Sequence, residues 1–333
     1  MQRSNSVERT GLLRCARNDT FCILIVSGEK MFNRYFAWLV VSTVLLCTGF
    51  NCSSAIDSSD SSSSSSSTTD EITLSSCTTS ISSDALDFFK NYYKCVTITV
   101  SSGVVTIQTE NLPPHPSYYY GEGHPNYEDF DYSRGEEYAP NPNSIGEQDI
   151  QIEIPDEPTA KGLTITAAMV DGMVGTSDEE YPMGPAGVAL DSVVIFNPLA
   201  APGDDIAEER FVFDSYDAHP TQDDIYHYHT ASSGPLEVLS ALGFTMSTLP
   251  GSASVELYGI MCDGTVVLGC TELDGAMPES SDFDAQNGHV HDLTDGDGAP
   301  LFSSRYHTHI CTSRYTDYLY TPEIQYYEDC TVR

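Results

Sequence analysis

The sequence predicts a mainly β fold: a duplicated, β-rich domain with long loops and one or two short helices. Three observations carry that prediction. Short runs alternating β-branched or aromatic residues with polar ones recur from residue 95 onward, separated by Gly, Pro, Asn and Asp. Few segments have helical character. Two sections, about residues 187–230 and 259–310, echo each other piece by piece, as expected of a duplicated unit.

Taken in order, SDALDFFKNYYK (83–94) reads as a short helix. CVTITVSSGVVTIQT (95–109) alternates around a Ser-Ser-Gly turn and reads as a hairpin. Residues 111–149 are rich in Pro, Gly, Asn and Tyr and predict a long ordered loop. Strands are expected at 149–155, 162–169, 187–196, 210–215, 225–230, 254–261 and 265–270. GPLEVLSALG (234–243) is the best helix, with Pro235 near its start and Gly243 just past its end.

The first 55 residues differ from the rest. YFAWLVVSTVLLCTGF (35–50) is apolar but short for a membrane span, and it fits the core of a signal peptide. MFNR precedes it, and Ser53 and Ala55 follow as a cleavage site. Two readings stand for residues 1–30: translation from Met31, or an unusual upstream extension. Residues 1–55 are thus expected to be a signal peptide, 56–76 a serine-rich linker and 77–333 the domain, with a membrane anchor through 35–50 as the alternative. The expected location is extracellular.

With 49 Asp+Glu against 14 Lys+Arg, the chain is unsuited to nucleic acid or to an anionic membrane surface. Beyond residue 55 six cysteines remain: Cys77, Cys95, Cys262, Cys270, Cys311 and Cys330. An even number in a secreted chain predicts three disulfides. Local spacing favours Cys77–Cys95 and Cys262–Cys270.

The repeat organises the histidines. GVALDSVVIFN (187–197), FDSYDAH (213–219) and YHYH (226–229) correspond to GIMCDGTVVLG (259–269), FDAQNGH (283–289) and YHTH (306–309). Nine histidines placed at random would give about 0.24 His-x-His pairs, yet there are three: 227/229, 289/291 and 307/309. On a strand such a pair projects from one face and forms a ready chelator, completed by a third histidine from a neighbouring segment. The candidate metal ligands are therefore His219, His227 and His229 in one copy, and His289, His307 and His309 in the other. Zinc or copper is the expected ion, in two sites or one shared site. Asp214 and Asp284, five residues before the middle histidine in each copy, are candidates to orient an imidazole from behind. His291 is a further candidate. Asp292, Asp295 and Asp297 lie in a Gly-rich loop loosely like a calcium site, but without the glutamate an EF-hand requires.

These residues resemble the YHYH-domain family, named for the motif standing at Tyr226–His229. NLPPH (111–115), NPNSIGEQDIQIEIP (141–155), GVALDSVVIFNPLAAPGDD (187–205) and LDGAMPESSDFDAQNGHVHD (273–292) are similar to other family segments, so the resemblance spans roughly residues 95–312. It implies secreted or envelope-associated proteins of uncharacterised role, and it adds His115 as a candidate ligand. Three functional classes follow: a secreted metal-binding domain, a metal-dependent extracellular enzyme with an open three-histidine site, or a cell-surface interaction module without functional metal. Four protein ligands at a site favour structure, and three opening into a cleft favour catalysis.

Overall fold

A computed structural model describes residues 70–201, 204–311 and 320–333. The expected signal peptide and most of the serine-rich linker lie outside the described residues. The strands are β1 (Ser80–Ile81), β2 (Thr97–Ser101), β3 (Val104–Thr109), β4 (Ile150–Pro155), β5 (Pro185–Ala189), β6 (Val194–Phe196), β7 (Ala218–Pro220), β8 (Tyr226–Tyr228), β9 (Leu257–Met261), β10 (Val266–Leu268), β11 (Gly288–Thr294), β12 (Pro300–His309) and β13 (Thr331–Val332). Three short helices accompany them: α1 (Asp87–Tyr92), α2 (Ile206–Glu209) and α3 (Ser233–Ala241).

The strands form two sheets, ordered β1-β2-β3-β4-β13 and β11-β12-β10-β9-β5-β6-β8-β7. One buried apolar cluster joins them. Ile98, Ile107 and Ile152 of the small sheet share it with Val188, Ile260 and Leu268 of the large one, and the aromatic face of α1 (Phe88, Phe89, Tyr92) completes it. The predicted hairpin at 95–109 is β2–β3, with Thr97 opposite Gln108.

The larger sheet is built from the repeat. β5-β6-β7-β8 make one half and β9-β10-β11-β12 the other, and the order reads the same outward from the central β5–β9 pair. Gly187 faces Met261, Val188 faces Ile260 and Ala189 faces Gly259, so the antiparallel register is symmetric about Val188 and Ile260. Both glycines are required by this crossing. A Cβ on Gly259 would lie 2.2 Å from the Val188 carbonyl oxygen, and one on Gly187 2.7 Å from that of Ile260. Each half then repeats one pairing: β6 runs parallel to β8 with Val194 beside His227, and β10 runs parallel to β12 with Val266 beside His307.

Several expectations need correction. Residues 162–166 have no regular structure and 167–169 form a turn, so this segment is no strand; the outer edge of β4 is occupied by β13. Residues 210–212 form a 3₁₀ turn continuing α2, whose first turn is capped by the Asp205 side chain, so 210–215 is no strand. α2 is also a third helix that the pattern did not predict. The span 187–196 is a hairpin, β5–β6, and residues 70–76 are not a free linker: the Asn126 side chain clasps both backbone groups of Ile72.

Cys77–Cys95 forms as expected, but the other bridges are Cys262–Cys330 and Cys270–Cys311. A Cys262–Cys270 bridge is geometrically excluded. Cys262 lies at the β9–β10 turn and Cys270 beyond the far end of β10, where Leu268 already pairs with Leu257. From Thr265, whose carbonyl accepts the Met261 amide at the turn, to Cys270 the extended chain advances five residues, about 16 Å, well over the ~7 Å a disulfide spans between Cα atoms. Among the described residues no helix is long and apolar enough to cross a membrane.

Candidate metal centres

Each copy of the Phe-Asp-x-x-[Asp/Asn]-[Ala/Gly]-His pattern folds into the same turn. Asp214 Oδ1 accepts the Tyr216 amide at 2.9 Å, and Asp284 Oδ1 accepts the amides of Gln286 and Gly288 at 3.0 and 2.9 Å. The turn needs a left-handed residue at its fifth position. Asp217 and Asn287 supply it, both with φ of 58°, a conformation that Asp and Asn tolerate best among residues with a side chain. The chain then enters β7 or β11 with the middle histidine leading.

The second carboxylate oxygen does a different job. Asp214 Oδ2 accepts the Tyr226 hydroxyl and Asp284 Oδ2 the Tyr306 hydroxyl, both at 2.6 Å. The expectation that these aspartates orient an imidazole is therefore corrected: they lock the tyrosine of Tyr-His-x-His, on the opposite face of the strand. Ser117 also donates to Asp214 Oδ2, and burial pushes that carboxyl up to about 6 despite these donors. The second tyrosine of the first motif, Tyr228, donates to Asp191 Oδ2 at 2.8 Å. In the second copy Thr308 stands there, and the equivalent Asp263 receives the hydroxyl of Tyr181 instead, also at 2.8 Å.

The six repeated histidines assemble as two groups. His219, His227 and His229 converge in one half of the sheet, and His289, His307 and His309 in the other, where Glu272 joins them. Within each group the possible ligand atoms lie within 4.8 Å of one another, so either group could hold a metal ion. His115 and His291 belong to neither. His115 lies behind β8, with Nε2 3.0 Å from the Tyr228 hydroxyl and its ring stacked on Tyr216. His291 lies further along β11, its ring centroid 5.9 Å from that of His289. Asp292, Asp295 and Asp297 are not among the clustered groups of the described residues, and Asp295 Oδ1 accepts the amides of Asp297 and Ala299.

The backbone sets the tautomers. His227 Nδ1 faces the Ile225 carbonyl at 3.0 Å and His229 Nδ1 that of Asn197 at 2.6 Å. In the other group His307 Nδ1 faces the Arg305 carbonyl at 3.0 Å and His309 Nδ1 that of Gly269 at 2.8 Å. A carbonyl only accepts, so each Nδ1 carries the proton, and the neutral form of each ring keeps its lone pair on the inward-facing Nε2. This is the arrangement in which a second hydrogen bond orients a metal-binding imidazole. His219 is the exception: its Nδ1 has a long 3.4 Å contact from Asn141 Nδ2. Phe213 stacks on the His229 ring and Phe283 on that of His309, fixing both from the side.

The first group is kept neutral by burial. Desolvation lowers His219 and His227 well below the ordinary histidine value, helped by the neighbouring imidazoles, and lowers His229 to about 4. His227 Nε2 and His229 Nε2 nevertheless lie 2.9 Å apart. Two unprotonated acceptors at that distance repel unless a cation sits against both. The Nε2 atoms of His219 and His307 are buried with no hydrogen-bond partner, as are one oxygen of Glu209 and one of Glu272. Buried polar atoms left unpaired are costly, and the His219, His307 and Glu272 atoms belong to the two groups.

The second group has the spacing of a four-coordinate ion. Glu272 Oε1 lies 3.2 Å from His289 Nε2 and 3.3 Å from His309 Nε2, Glu272 Oε2 lies 3.3 Å from His307 Nε2, and His289 and His309 are 3.3 Å apart. Tetrahedral zinc with Zn–N bonds of about 2.05 Å has edges of about 3.3 Å. Sequence reasoning missed Glu272; its only signal is its position three residues after Gly269, the carbonyl that fixes His309.

In the first group the nearest carboxylate is Glu209 of α2, whose Oε1 lies 3.5 Å from His219 Nε2 without forming a hydrogen bond. This group faces a cleft of about 1010 Å³ floored by Phe196, Leu199 and Val212. No family model matches the chain, and no curated protein and no solved structure matches it either.

Proposed function

We propose that this is a secreted histidine-rich protein of the YHYH-domain type that binds two transition-metal ions, zinc or copper, one in each copy of the repeat. The observation carrying this reading is the convergence of bare, buried Nε2 atoms, two in each group held in that tautomer by backbone carbonyls. Neutral imidazole with at most one carboxylate suits borderline divalent ions better than calcium or magnesium. Thiolate is not on offer, since the six cysteines of the described residues are paired in disulfides. Those disulfides and the apolar run at 35–50 support the extracellular assignment.

The test is metal content by mass spectrometry on untagged protein secreted from eukaryotic cells. Two equivalents of zinc or copper are expected, falling by one in His227→Ala/His229→Ala and by a different one in His307→Ala/His309→Ala. A folded protein that carries no metal and takes up none when supplied would overturn the reading.

A further inference from the structure

The two centres differ in one respect that bears on use. Counting on from Asn197 and Gly269, whose carbonyls fix the last histidine of each motif, the third residue is Ala200 in the first copy and Glu272 in the second. The first copy therefore lacks the carboxylate that completes the second. Glu209 approaches only His219, and its carboxylate is not within ligand range of all three imidazoles. What faces the bare Nε2 atoms instead is the cleft. Among the described residues its charged walls are of one sign: Asp204, Asp205, Glu208, Glu209 and Asp223 line it, with no Lys or Arg among the described lining residues. Its floor is apolar, and Phe196 stacks on the His227 ring at 3.8 Å.

We propose that the centre of His219, His227 and His229 accepts an external donor from the cleft at its fourth coordination position. The ligands it selects are small organic cations with an amine or heteroaromatic nitrogen donor, not phosphates or carboxylates. The Glu272 centre, although Glu272 and His289 border a smaller cleft of about 360 Å³, has four protein donors and is structural. This inference rests on the metal-binding reading above. Three protein ligands leave an exchangeable position on a tetrahedral ion, whereas four do not. Carboxylates around a low-dielectric cleft concentrate cations at it and repel anions.

The full secreted chain loaded with Co²⁺ gives the readout, since cobalt reports its coordination in visible absorption. Two pyridines of similar size separate the charge requirement from the donor: 4-(aminomethyl)pyridine is cationic at neutral pH and pyridine-4-carboxylate anionic, and neither geometry allows chelation through both groups. The cation is expected to perturb one of the two cobalt spectra saturably, at least tenfold more tightly than the anion. The change should vanish in His227→Ala/His229→Ala and persist in His307→Ala/His309→Ala. Two bound cobalt ions with neither spectrum perturbed would overturn the open centre while leaving metal binding intact. A response that survives in the first variant assigns it to the wrong centre, and equal affinity for the two pyridines overturns the selectivity. A protein that takes up no cobalt removes the metal reading and this inference together.

Discussion

Replacing Glu272 with Gln isolates the contribution of the fourth ligand in the second centre. The substitution keeps the side chain's shape but removes the charge that lies 3.2–3.3 Å from three imidazole nitrogens. Mutating groups merely behind a ligand costs 10–100-fold in metal affinity, so losing a direct anionic ligand should cost at least 100-fold, or about 2.7 kcal/mol. With free metal in excess, that loss appears as lost stability of the folded protein. An unfolding entropy of about 2.1 cal/mol/K per residue over roughly 260 folded residues is about 0.55 kcal/mol/K, so Tm should fall by about 5 °C. The assay is calorimetry at fixed zinc, repeated with a chelator. The reasoning requires the gap between wild type and Glu272→Gln to close substantially once metal is removed. A gap of the same size with and without chelator would show that Glu272 acts as an ordinary structural carboxylate and would refute the ligand assignment.

Other outcomes follow from the same geometry. Glu209→Gln, whose native carboxylate lies 3.5 Å from His219 Nε2, should lower zinc affinity at the first centre by less than about tenfold in a competition titration, because a residue outside the ligand set acts only through its field. Tyr226→Phe should destabilise the fold by about 2 kcal/mol in urea unfolding, since it removes a 2.6 Å hydrogen bond to the buried Asp214 carboxylate; a loss under 0.5 kcal/mol would contradict the clasp. Burial pushes Asp191 up to about 7, above its unfolded value, so the native state binds more protons between pH 4 and 7. This group therefore favours folding increasingly as pH falls through 7, and wild type should gain about 1.4 kcal/mol over Asp191→Asn between pH 8 and 6. Parallel stability curves for the two proteins would sink that assignment. Gly259→Ala should prevent folding or cost more than about 3 kcal/mol, because its Cβ meets the Val188 carbonyl at 2.2 Å.

What was legible in the sequence was what repeats. The order of His219, His227 and His229 recurs in His289, His307 and His309, although the interval before the His-x-His pair differs, and those six are the histidines the sheet gathers into two groups. Strand alternation separates the faces, which puts Tyr226 and Tyr228 on the side away from His227 and His229, where their hydroxyls meet Asp214 and Asp191. Features settled by unrepeated, long-range contacts were not legible. Glu272 has no counterpart in the first copy. Cys311 and Cys330 find partners 41 and 68 residues away, beyond any local spacing rule. The 162–169 segment has strand-like alternation, but strand pairing depends on an available edge, and only the tertiary structure shows that β13 occupies it. Asp214 and Asp284 were placed near the right elements with the wrong partner, because sequence spacing does not say which of two carboxylate oxygens faces which side of a turn.

The divergence between the two centres has a physical location. The parts that hold each histidine pair are shared: the parallel pairing with β6 or β10, the carbonyls that fix Nδ1, the stacked phenylalanine and the Asp–Tyr clasp. All of these sit in the sheet or in the turn feeding it, where a change of one residue would shift the register and turn the histidines to the other face. The fourth ligand comes from the connection after β6 or β10, which runs from 197 to 213 in one copy and from 269 to 283 in the other, two residues shorter. That connection is free of the register constraint. In the first copy it carries Ala200 and α2 with Glu209; in the second it delivers Glu272 to three imidazoles. A duplicated scaffold can thus keep its chelating strands unchanged while a loop decides whether a centre is closed by protein or faces a cleft. On the metal-binding reading proposed above, the difference between Ala200 and Glu272, rather than anything in the Tyr-His-x-His motifs, is what would separate the two centres.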